Sequence, residues 1–155
     1  MVKSVFSINL AMIKKVSLIL LFLLLSVTLT FAQKGAIKKG NKKIKKGEYN
    51  EAIAYFNKAV NDSEYKGEAN YYIGEAYRLS NRLDEAMPYY AKAIRSKVDI
   101  ADAYLHYAYS LKTKGAYSEA QSQIREYLEF AEDEEGIAKA QKELENLNQI
   151  AIIAE

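Results

Sequence analysis

One histidine, His106, and no cysteine stand in the 155 residues, so the side chains that most often carry metal or nucleophilic chemistry are nearly absent. No glycine-rich phosphate loop and no His-Glu-x-x-His pair occurs either. Adjacent acids such as Glu134 and Glu135 read as a solvated helix surface, not as an acid–base pair. No catalytic residue, metal ligand or cofactor is therefore expected, and the chain does not read as an enzyme. What it offers is charge and aromatic surface. Lys34, Lys38, Lys39, Lys42, Lys43, Lys45 and Lys46 put seven ammonium groups within 13 residues, with no aromatic side chain among them on which a base could stack. Such a face is either a solvated helix surface or a site for an anionic partner, and single-stranded nucleic acid does not suit it. Near the other end stand Glu126, Glu129, Glu132, Asp133, Glu134 and Glu135. Opposite charge at the two ends would guide head-to-tail association at low salt.

The elements that must position these residues repeat. Asn50-Glu51-Ala52, Asp84-Glu85-Ala86 and Ser118-Glu119-Ala120 recur at a spacing of 34 residues without drift. Each triplet begins with a side chain able to cap a helix and continues with a carboxylate suited to the first turn. Gly47, Asn81 and Gly115 precede them, residues that tolerate the left-handed turn ending a previous helix. Tyr49, Leu83 and Tyr117 are placed to fix how the chain enters the next helix. After each triplet an apolar face recurs: Phe56, Ala59 and Val60; Tyr90, Ala93 and Ile94; Ile124, Tyr127 and Leu128. Gly40, Gly74 and Ala108 are small at the equivalent point of the first helices, where two helices could cross closely. Pro88 falls in the first turn after Asp84 on this phasing, so a mild kink is the most it should cause. After Asp133, Ile137, Ala140, Leu144, Leu147, Ala151 and Ala154 form one apolar stripe, with Lys139, Lys142, Glu143 and Glu145 facing elsewhere. That segment reads as a capping helix over 134–155. Its apolar tip, 150–154, either docks onto something or leads into a longer protein, and the second reading is the better one.

The first 32 residues read as separate from this array. Lys14 and Lys15 precede the apolar run Val16 to Phe31, which closes on Thr30-Phe31-Ala32 before Gln33. That is the pattern of a secretory signal peptide, with either Met1 or Met12 as its start. The run is shorter than the roughly 20 residues of a comfortable membrane span. Removing the segment takes away three lysines and no acid, and moves the formal charge from +2 to about −1, which is no nucleic-acid footprint. An exported chain without cysteine must be held by packing, which 13 tyrosines and five phenylalanines can supply.

The small residue, the turn residue and the alanine–aromatic–alanine run, in phase over three copies from Gln33 to Asp133, resemble the tetratricopeptide repeat (TPR) family. The resemblance implies an all-α fold: a right-handed solenoid of three helix–turn–helix repeats, 33–66, 67–100 and 101–133, with a capping helix behind them and a concave groove for a protein or peptide segment. It departs from the family's pattern in two places. Glu64, Val98 and Glu132 stand where the family carries proline, and Lys39 and Lys43 stand where the later repeats have Ile73 and Tyr77, then Tyr107 and Leu111. The second departure suits a terminal repeat with one face in water.

The resemblance turns Asn41 of the first repeat, Tyr71, Tyr72, Glu75 and Arg78 of the second, and Asp102, His106, Tyr109 and Lys112 of the third toward the groove. Tyr71, Tyr72 and Tyr109 would be its anchors, and each of these rings could equally fill the core between helices. Family members that hold a chaperone's C-terminal carboxylate use a clamp of Lys, Arg and Asn. Here only Asn41 matches it, with Ile37, Tyr72, Asp102 and His106 at the other positions, which disfavours a chaperone tail. The basic face of Lys38, Lys39, Lys42, Lys43, Lys45 and Lys46 suits an anionic envelope component. The expectation is thus a protein-binding scaffold, exported and periplasmic or outer-membrane-associated, with no membrane span after signal cleavage. A signal ending Phe31-Ala32-Gln33 before lysine-rich helices is also similar to the N-terminal TPR modules of larger envelope proteins. Those continue into a β-propeller and an OmpA-like peptidoglycan-binding domain, some in gliding and type IX secretion machinery. On that alternative, the chain would be one module of an envelope structural protein.

Overall fold

In each repeat the chain reverses at the left-handed residue. Gly47, Asn81 and Gly115 have φ of +73°, +60° and +76°. The computed structural model describes residues 10–97 and 100–154, with the backbone alone for residues 10, 11, 25–31 and 151–154. Its elements are α1 (Leu10–Ile44), α2 (Tyr49–Phe56), α3 (Lys66–Leu79), α4 (Leu83–Arg95), α5 (Ala101–Thr113), α6 (Tyr117–Phe130) and α7 (Glu134–Ala154), and no strand occurs among the described residues. The chain is an all-α solenoid of stacked helix pairs.

All three turns use the same hydrogen bonds. The amide of the left-handed residue donates to the carbonyl three residues back, Gly47 to Ile44 at 2.9 Å, Asn81 to Arg78 at 3.0 Å and Gly115 to Lys112 at 2.9 Å. The next amide donates five residues back, Glu48 to Lys43 at 3.0 Å, Arg82 to Tyr77 at 2.8 Å and Ala116 to Leu111 at 3.0 Å. This is a Schellman motif, which satisfies carbonyls that a helix end leaves free. The side chains it brings together differ in each copy. Lys43 pairs with Glu48, Arg82 lies 4.5 Å from the Tyr77 ring centre, and Ala116 packs on the apolar cluster holding Leu111. Lys43, which looked like a simple departure from the repeat, is thus matched by a change at its turn partner.

The same turns correct the assignment of the helix starts. The N-cap residues are Glu48, Arg82 and Ala116, and none makes a side-chain cap bond. Their carbonyls accept the first helical bonds, from Ala52 at 3.0 Å, Ala86 at 3.1 Å and Ala120 at 3.0 Å. Asn50, Asp84 and Ser118 therefore lie inside the helices, because the residue that closes one Schellman turn already begins the next helix. Two of them reach across to the following repeat: Asn50 accepts from Arg82 at 3.3 Å, and Asp84 pairs with Lys114 at 2.5 Å. A side-chain cap does occur at α7, where Asp133 Oδ2 accepts from the Gly136 amide at 2.6 Å. Pro88 also moves. It is the sixth residue of α4, beyond the first turn, and removes a bond to the Asp84 carbonyl, yet the helix runs on to Arg95.

Close crossing holds each pair together. A Cβ built on Gly74 would lie 2.7 Å from Tyr90 Cε1, and one on Gly40 would lie 2.3 Å from Phe56 Cε1. In the third pair Ala108 sits with the smaller Ile124. Ala52, Ala86 and Ala120 are fully buried, as are Phe56 and Tyr90. Three apolar clusters follow one another, each drawing on a helix pair and the next helix. The first joins Ile37, Phe56 and Ile73, the second Tyr71, Tyr90 and Ala103, and the third Leu111, Ile124, Tyr127 and Leu147. α7 thus covers the last pair as a further first helix would, with Ala140 and Leu147 fully buried.

α1 runs without a break from the signal-like stretch into the first repeat. The described apolar side chains of Met12–Leu24 are exposed, and burial begins at Ala36 and Ile37. Among the described residues, no helix is long and apolar enough to cross a membrane. The expected start at Met1, the position of Val98, and the side chains of Thr30, Phe31 and the tip at 151–155 lie outside what the structure describes.

Candidate partner-binding face

The first helices lie side by side, and polar contacts link them in order. α3 meets α5 through Glu75 and His106, and α5 meets α7 through Lys112 and Glu143. On this face, the expected groove residues fall into three groups.

The middle group is a charged hub. Glu75, whose side chain is 13% exposed, accepts from Arg78 Nε at 2.9 Å, Arg78 Nη2 at 2.7 Å and Tyr90 Oη at 2.7 Å. His106 Nδ1 lies 2.8 Å from the same carboxylate. Burial alone would raise the Glu75 carboxyl, but the Arg78 bonds, His106 and the Tyr90 hydroxyl outweigh it and hold it well below the usual carboxylate range. Burial, then the bond to Glu75, pushes the Tyr90 phenol up. Tyr71, 8% exposed, lies parallel to the His106 ring at 6.5 Å and tilted to Tyr90 at 6.3 Å. Tyr72 is half-buried and stacks on Phe56 at 5.3 Å. Glu75, Arg78, His106 and Tyr71 are thus engaged mainly with one another.

The second group faces α7. Tyr109 is 38% exposed, and Lys112 is paired with Glu143. Asp102, nearer the start of α5, is exposed. The third group is a groove of ≈ 800 Å³ lined by Lys34, Gly35, Ile37, Lys38, Lys39, Asn41, Lys42 and Lys45 of α1, with Tyr65 and Glu68 opposite. Asn41 belongs here, apart from the hub. Burial raises the Glu68 carboxyl. Of the basic face, Lys43 is tied to Glu48 and Glu51, whose bonds push its ammonium pKa up, and Lys38, Lys39, Lys42, Lys45 and Lys46 make no ion pair among the described residues.

Sequence reasoning missed two participants. Tyr90 was placed as core alone, although a buried tyrosine hydroxyl needs a partner and Glu75 supplies it. Glu143 was placed away from the packed side of α7. Aligning α7 with the first helices of the pairs before it would have set an acid opposite Lys112. Among the described residues no group of three or more His, Asp or Glu side chains could hold a metal ion.

Residues 37–61 and 67–97 match the family model described as "Tetratricopeptide repeat". The third pair lies outside the matched stretches, and it is the one that replaces glycine and a ring by Ala108 and Ile124. No curated protein matches the chain in sequence. Among solved structures, the chain is similar to the first TPR of Spaghetti (RPAP3) bound to HSP90 peptide SRMEEVD, at 21% identity and a TM-score of 0.65, covering 78% of this chain and 94% of that one. It is similar to the type III secretion translocator chaperone SycD of Yersinia enterocolitica, at 17% identity and a TM-score of 0.68, over 79% and 87% of the two chains. It is also similar to PcrH in complex with the chaperone binding region of PopD, at 15% identity and a TM-score of 0.65, over 76% and 92%.

Proposed function

We propose that this tetratricopeptide-repeat protein is a non-enzymatic scaffold of the bacterial cell envelope that binds a protein segment along the face of its first helices. The observation that carries the reading is the groove of ≈ 800 Å³ between α1 and the start of α3, which puts apolar floor, amide and ammonium groups side by side. Such a mixture suits an extended segment: apolar side chains bury area while polar groups set register. Tyr109, 38% exposed on α5, offers a further ring on the first-helix face. The solved structures bound to an HSP90 peptide or to the chaperone binding region of PopD share the fold, and their mode of use supports the same mode here. Export is supported by Lys14 and Lys15, the apolar run after them and the small–x–small pattern at Thr30-Phe31-Ala32.

Two measurements test the reading. Mass spectrometry of the envelope fraction should find a mature N-terminus at Gln33, and a full-length cytosolic protein would remove the localisation. For binding, the protein is used to capture its partner from that fraction, and Tyr109→Ala and Asn41→Ala are then compared with wild type. A ring that anchors a segment commonly costs about 2 kcal/mol when truncated, roughly thirtyfold in affinity. Unchanged affinity in both folded variants would take the first-helix face out of consideration.

A further inference from the structure

We infer that the lysine groove of α1 receives an acidic, aromatic-bearing segment, and that its source is the Glu126–Glu135 stretch of a second copy of this chain. The groove is built on one end of the stack. α1 packs on α2 and only touches α3, whereas α6 packs on α5 and α7, so the acidic stretch belongs to the other end. A groove and a complementary segment at opposite ends cannot meet within one molecule, and joining them between molecules gives a head-to-tail assembly, a ring where the rotation closes and an open chain where it does not.

The chemistry of the two surfaces matches. In the groove Lys34, Lys38, Lys39, Lys42 and Lys45 surround a floor that includes Ile37 and Tyr65. None of these five lysines makes an ion pair among the described residues. At the other end Glu126, Glu129, Glu132 and Glu134 are exposed and likewise unpaired among the described residues, while Asp133 is used by the Gly136 amide and Glu135 by Lys139. Between Glu129 and Glu132 stands Phe130, 51% exposed although it stacks on Tyr104 at 5.8 Å. After it the chain is extended at Ala131, with ψ of 134°. A large apolar ring at a helix end, flanked by carboxylates on the last turn and on the chain just after it, fits an apolar floor rimmed by ammonium groups. The charges steer and orient the encounter, and the ring supplies area removed from water.

The inference rests on the reading of the first-helix face as the binding face, and charge exchange separates the two. Lys38→Glu/Lys42→Glu and Glu129→Lys/Glu132→Lys are made as two proteins, all four positions being exposed, and circular dichroism confirms that both fold. In analytical ultracentrifugation at low ionic strength, the wild-type protein should show a mass that rises with concentration and falls back to one copy well above about 0.15 M salt. Each variant alone should stay monomeric, and mixing the two should restore association. Phe130→Ala should weaken wild-type association about tenfold. A wild-type protein that is monomeric at low salt overturns the inference. So does association that strengthens with salt or survives the reversals, because apolar contact and not these charges would then be driving it. If mixing fails while Tyr109→Ala still abolishes partner capture, self-docking is wrong and the scaffold reading stands.

Discussion

Glu75 is the residue on which the second and third repeats converge. It receives bonds from Arg78 of its own helix and from Tyr90 of the partner helix, and His106 Nδ1 of the next repeat lies 2.8 Å away. A carboxylate this buried is stable only while those donors are present, because an unpaired buried charge is costly. Its ionisation is therefore linked to folding. The folded carboxyl sits below its ordinary value of 4.5, so the unfolded chain takes up the proton first as the pH drops. The stabilisation is complete above that ordinary value and is lost as pH falls through the lower folded value. Glu75→Gln should cost about 1–3 kcal/mol near neutrality. Between about pH 5 and about pH 3 the urea midpoint of the wild-type protein should fall more steeply than that of the variant. Parallel slopes would mean that the carboxylate gains nothing from its donors. This hub was only partly legible in the sequence. Periodicity placed Glu75 and His106 on one face, but nothing local shows that they lie 2.8 Å apart across a repeat boundary, or that Tyr90 reaches in from behind.

At the scale of elements, what could be read from the sequence was what local backbone and volume determine. Gly47, Asn81 and Gly115 had to take positive φ, and they do. The small residues at 40, 74 and 108 had to face bulk on the second helix, and they do. The helix starts were misread because Asn50, Asp84 and Ser118 have the chemistry of caps, whereas the Schellman turn ends one helix and starts the next with a single residue. The pairing of volumes leads to an expected outcome. Gly40→Ala drives a methyl against the Phe56 ring and should destabilise by roughly 1–3 kcal/mol. Phe56→Ile leaves a cavity and should cost about 1–3 kcal/mol by itself. Together they copy the Ala108 and Ile124 pair of the third repeat, so the double variant should be more stable than the sum of the two losses predicts. A double-mutant cycle in urea gives the coupling directly, and strict additivity would show that the two sites do not touch.

The whole molecule is a row of three apolar clusters, each shared between one helix pair and the next helix. In such a row stability is close to a sum of repeat and interface contributions, and damage at one end need not spread to the other. α7 is the informative place to test this, because it closes the row by lending Ala140 and Leu147 to the cluster of Leu111, Ile124 and Tyr127. Its stripe was legible from spacing alone, but its polar side was not: Glu143 turns inward to Lys112 and ties the cap to the first-helix face. Leu147 is fully buried, and Leu147→Ala should cost about 2–5 kcal/mol, as truncations that leave a cavity do. The loss should be local. Native-state hydrogen exchange should show the amides of α5, α6 and α7 opening more readily, while those of α2 and the second half of α1 keep their protection. The same variant should free Lys112 and expose more of Tyr109 without disturbing the lysine groove, so binding that depends on the groove should survive. An equal loss of protection in every helix would instead show one cooperative unit. The hub at Glu75 would then have to carry the coupling between the repeats, and Glu75→Gln combined with Leu147→Ala should make the loss local again.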